Sequence, residues 1–63
     1  MDKAKVEYLA REAFWGANDP LWRAIVDIAA SQEPGTTSMS LDEAIRIAVE
    51  NAEELEAVGV LAD

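Results

Sequence analysis

The amino-acid sequence predicts an all-α fold: a small three-helix domain over residues 1–63, with helices at about 3–15, 20–31 and 41–58 and a C-terminal tail packing back on them. Three observations predict it. Apolar residues recur at the three- and four-residue spacing of a helix face in each segment. Start and stop residues bracket each segment. No alternating apolar and polar run competes as a strand, and no internal repeat is visible.

In the first segment Val6, Leu9, Ala10, Ala13 and Phe14 share one face. Asp2 is placed to cap this helix or complement its dipole, and Gly16 to end it in a left-handed conformation. Asn18-Asp19-Pro20 reads as the next start, with Asp19 as the cap and Pro20 at the first helical position. Leu21, Ile25 and Ile28 form its stripe, with Trp22, Val26 and Ala29 beside it; Pro34-Gly35 stops the pattern after Ser31-Gln32. Glu33 to Met39 reads as a flexible connector. Ser40-Leu41-Asp42-Glu43 matches the S-x-x-E capping box, in which the serine accepts from the Glu43 amide and the glutamate reaches back. Leu41, Ala44, Ile45, Ala48, Ala52 and Leu55 line the third helix, and Gly59 suits a left-handed ending that turns Val60 and Leu61 onto the core.

The remaining large apolar residues, including Ile47, Val49, Val58 and the cluster Phe14, Trp15 and Trp22, are expected to complete the core, with one tryptophan free to anchor an interface. Ile47 lies off the main inner stripe and is the residue to watch for an apolar contact.

Charge is the most uneven property of the chain. Residues 1–32 carry five acids and four bases; residues 33–63 carry eight acids and Arg46 alone, so about seven of the net -8 charges sit in the second half. With no cysteine and no histidine, a disulfide framework, thiol chemistry and zinc sites of the usual kind are excluded. No apolar run reaches the roughly 18–20 residues of a membrane span, and the N-terminal pattern is amphipathic rather than that of a secretory signal, so a cytoplasmic protein is expected. So few lysines and arginines oppose direct binding to nucleic acid or to an anionic membrane.

Catalysis finds little to work with. Glu50, Glu53 and Glu54 lie on adjacent turns, but the spacing of a calcium loop is absent and one helix presents too few convergent oxygens. Ser38 and Ser40 have no neighbouring base. No enzyme, metal or cofactor is expected. A helix-turn-helix reader fails on sign, because the third helix exposes mostly acids where phosphate contact needs bases.

The same sign makes Asp42, Glu43, Glu50, Glu53, Glu54 and Glu56 the candidate partner-binding residues. They form a negative ridge of about 20 Å at roughly 1.5 Å per residue. In size, acidity and lack of catalytic groups the chain is similar to phage-encoded DNA mimics, including some anti-CRISPR proteins; the likeness is one of size and composition. It implies an inhibitor that occupies the groove of a basic, nucleic-acid-handling protein. Two further readings stand beside it: an antitoxin-like or regulatory module docking through Trp15, Trp22 and Ile47, and a homodimeric assembly protein. The third needs only leftover apolar surface, which a 63-residue chain near the lower limit for an independent core readily leaves.

Overall fold

Helices account for most of the chain in the computed structural model, which describes residues 1–32, 35 and 39–61. Their order is α1 (Lys3–Phe14), α2 (Asp19–Gln32), α3 (Leu41–Glu50) and α4 (Ala52–Ala57), and no described residue is in a strand. The expected three-helix domain is present, its third helix divided in two.

Asp2 occupies the cap position of α1 in an extended conformation, but its side chain makes no capping hydrogen bond. The other end closes as expected. Gly16 takes φ +90°, its amide donates to the Ala13 carbonyl (3.0 Å), and the Ala17 amide donates to that of Glu12 (2.8 Å). These are the paired bonds of a Schellman ending, which satisfy carbonyls that the last turn leaves open.

The start of α2 corrects the expected cap. The helix begins at Asp19, and Asn18 caps it: its Oδ1 accepts from the Leu21 amide (3.2 Å) and its carbonyl from the Trp22 amide (3.0 Å). Asp19 moves into the first turn, where its charge faces the helix dipole favourably, and Pro20 still sits where no amide is needed. The two residues differ in which of them places its side-chain oxygen opposite the third helical amide, and Asn18 does. In the connector expected at Glu33 to Met39, positions 33, 34 and 36–38 lie outside the described residues; Met39 rests half-buried on the core.

Ser40 caps α3 as its motif demands, with Oγ accepting from the Glu43 amide (3.2 Å). The reciprocal half of the box is missing, because the Glu43 carboxylate turns to Arg46. The helix expected to run from Leu41 to about Val58 is interrupted at Asn51. There the backbone leaves helical values (φ -115°, ψ 23°), and the Asn51 Nδ2 and amide both donate to the Ile47 carbonyl, at 2.9 and 3.0 Å. An asparagine side chain can thus bond a backbone carbonyl beside its own amide. The Asn51 carbonyl then accepts from the Leu55 amide (3.0 Å) and opens α4. Gly59 (φ +85°) donates to Glu56 (3.0 Å) and Val60 to Leu55 (3.1 Å), a second Schellman ending. The tail beyond it returns Leu61 to the interior, as expected.

The core combines alanines with larger aliphatic side chains. Val6, Ala10 and Ala13 of α1 meet Ala44, Ile47 and Ala48 of α3, with Leu21, Ile25 and Ala29 of α2 and then Leu55 and Leu61 closing the interior. Alanines on both α1 and α3 let these two helices pack closely, and theirs is the most extensive helix–helix contact. Ile47 takes its expected place in the core, 1% exposed, and so is not available as the docking contact of the alternative reading. It lies off the α1-facing stripe because α3 packs against α2 as well. Val26 and Val58 are exposed rather than in the core. No helix among the described residues is long and apolar enough to cross a membrane.

Candidate functional site

The third segment was expected to carry one continuous acidic ridge, and the structure divides it. Asp42, Glu43 and Glu50 lie on α3, Glu53, Glu54 and Glu56 on α4, and the Asn51 break falls between the two sets. Arg46 sits inside the first set. Its Nη1 donates to Glu50 (3.0 Å) and its Nη2 to Glu43, so the three side chains form a paired group one turn to either side of the arginine. The Arg46 guanidinium is raised above its ordinary pKa, first by the hydrogen bond it donates to Glu43 and further by the charges of Glu43 and Glu50, with desolvation opposing. Glu56 points elsewhere and accepts from the α-ammonium group of Met1 at 3.1 Å, which ties the start of the chain to α4.

Asp42, Glu53 and Glu54 are exposed, and among the described residues no cation pairs with them. Glu53 and Glu54 share with Glu50 the rim of an open hollow at the α3–α4 junction, floored by Val49, Asn51 and Ala52. Asp42 lines a neighbouring shallow groove between α1 and α3 with Lys3, Glu7, Arg46 and Glu50, so Glu50 borders both hollows. The six expected binding residues are thus not brought to one surface. Glu50, Glu53 and Glu54 are together, Asp42 and Glu43 lie toward the start of α3, and Glu56 is set apart by its bond to Met1. No three carboxylates among the described residues are disposed to hold a metal ion.

A second surface lies at the opposite end of the charge distribution. Trp15 is 72% exposed and is the tryptophan left outside the core, because as the residue capping α1 just before Gly16 it projects past the last full turn. Phe14 binds it edge-on (centroids 5.0 Å apart, planes at 87°) and holds Trp22 of α2 the same way (5.8 Å, 80°). Phe14 and Trp22 are half-buried. Tyr8, two turns before Trp15 on the same face of α1, is 57% exposed, and Val26, one turn after Trp22 on α2, is also in solvent. None of the four aromatic rings belongs to the fully buried core. The sequence held one signal for this: a tryptophan directly before a helix-ending glycine has no following turn to cover it.

No protein-family model, curated protein or solved structure matches the chain.

Proposed function

We propose that this protein is a non-catalytic binding protein whose acidic α3–α4 surface occupies a basic groove of a nucleic-acid-handling partner and inhibits it. One observation carries the reading: Glu50, Glu53 and Glu54 stand together at the rim of one hollow, on the half of the chain that holds about seven of its eight net negative charges. No polar or charged side chain is buried among the described residues, so these carboxylates do not serve the core.

From Asp42 to Glu56 six acids and one base leave five net charges, but the Asn51 break and the Met1 ammonium on Glu56 divide them, so the proposed contact rests on Glu50, Glu53 and Glu54 rather than on one ridge. Arg46 further concentrates the effect, since its pairing withdraws Glu43 and part of Glu50 and leaves Glu53 and Glu54 as the leading contacts.

The test is affinity capture from a lysate of the source organism, with mass spectrometry of what is retained. A basic nucleic-acid-binding protein is expected at about 0.05 M salt, with affinity falling at least tenfold by about 0.5 M as the Debye length shrinks. Reversing Glu50, Glu53 and Glu54 to lysine abolishes capture while helical content stays unchanged. Equal capture by the reversed variant rules the surface out.

A further inference from the structure

We infer that the aromatic end of the molecule, built by Tyr8, Phe14, Trp15, Trp22 and Val26, is the contact through which two copies of this chain form a two-fold dimer. The surface lies on α1 and α2, apart from the acidic α3–α4 face, and the inference does not depend on the function proposed for that face.

The rings are an unusual feature of so small a domain. Five of the eleven core residues buried among the described residues are alanines, while the large rings of Trp15 and Tyr8 are left exposed. Trp15 and Tyr8 alone keep about 200–300 Å² of side chain in water, taking ~150–250 Å² per ring and their exposures of 72% and 57%. With Trp22, Val26 and a charged rim, two such faces bury on the order of 1,000 Å² in total, the size of a weak, reversible contact rather than a permanent one. The T-shaped stacking of Phe14 against both tryptophans holds the face in one shape before any partner arrives.

Charge selects the occupant. Each copy carries a net charge of -8, so any approach that brings α3 or α4 of two copies together is repelled. The first 32 residues carry only one net negative charge, and the aromatic face stands on them. Charges of both signs neighbour it along the two helices: Arg11 and Glu12 come just before Trp15 on α1, and Asp19, Arg23 and Asp27 lie beside Trp22 and Val26 on α2. A strongly basic or strongly acidic partner gains little from a rim of mixed sign. A second copy turned by a two-fold axis does gain, because an isologous contact sets each patch against itself and can place Arg11 or Arg23 opposite Glu12 or Asp19.

Sedimentation velocity on the intact chain, from about 10 µM to about 2 mM, tests this over the range where an interface of this size associates. The expected result is a rise from the 6.8 kDa monomer toward twice that mass. The rise is steeper at about 0.5 M than at about 0.05 M salt, because salt screens the repulsion between two acidic copies. Trp15→Ser remains monomeric throughout with unchanged helical content, since Trp15 contributes nothing to the buried core; Glu53→Lys associates at least as well as the parent chain. A monomer at every concentration in both salts overturns the inference. So does a dimer that Trp15→Ser leaves intact, or one that Glu53→Lys abolishes.

Discussion

Gly16 and Gly59 carry out the same task at the ends of α1 and α4, each turning the chain through a positive φ so that two backbone amides can return to the last turn. A Cβ built at either position meets no atom within 4 Å, so an alanine there suffers no collision and only the backbone cost remains. Left-handed backbone costs an L-residue roughly 1–2 kcal/mol. Gly16→Ala is therefore expected to lower stability by about 1 kcal/mol. In a domain of this size that is a fall in Tm of about 4–8 °C, measurable by thermal unfolding followed by circular dichroism. A fall of that size at Gly16 with none at Gly59 would mean that the tail carrying Leu61 can re-form its return by another route. Both glycines are plain in the sequence because nothing distant is needed to place them. Asn18 and Asp19 show the limit of such local reading: either residue caps a helix well, and the choice is made by a one-residue shift in where α2 begins.

At the scale of the helices, the faces of α1 and α2 and the capped start of α3 follow directly from apolar spacing and from Ser40, since each depends on residues three or four apart. Ile47 was legible as an apolar core residue but not from that one stripe. A single stripe describes a helix packed on one neighbour, and α3 has two, so the buried arc widens to include a residue that one-partner reasoning sets aside. The division at Asn51 was hidden for a different reason: the apolar pattern runs through it, and Leu55 would face inward in a continuous helix too. At the break the Asn51 side chain shares the Ile47 carbonyl with its own main-chain amide. Asn51→Ala removes that side-chain bond and gains up to about 0.7 kcal/mol of helix propensity. The substitution is expected to join α3 to α4, raise the helical circular dichroism signal and slow amide exchange at residues 52–54. Unchanged exchange there would assign the break to the packing of Leu55 and the tail instead. Joining the helices also aligns Glu53 and Glu54 with Glu50 along one axis, so the same variant reports whether capture of a basic partner depends on the bend.

For the whole molecule the question is how far its charges sense one another. The longest dimension is 32 Å and the radius of gyration 10.4 Å. At about 0.01 M salt the Debye length is roughly 30 Å, and every carboxylate then feels the net charge of the whole; at about 0.1 M it is roughly 10 Å, and repulsion survives only between near neighbours. Two opposing contributions respond to that screening. Self-repulsion among eight net negative charges destabilises the compact state, whereas the Arg46 pairs with Glu43 and Glu50 and the Met1–Glu56 pair stabilise it. The pairs are few and lie at the surface, where each contributes little, so repulsion dominates. Tm is therefore expected to rise as salt increases from about 0.01 to about 0.1 M and to flatten above that, where the Debye length has fallen below the molecular radius. This is the reverse of the salt response expected for capture of a basic partner and has the same sign as that expected for dimerisation. Thermal unfolding at about 10 µM, where a weak dimer is dissociated, separates the folding effect from the association effect. A Tm that falls with salt at that concentration would show that the surface ion pairs, rather than the net charge, govern the stability of this fold.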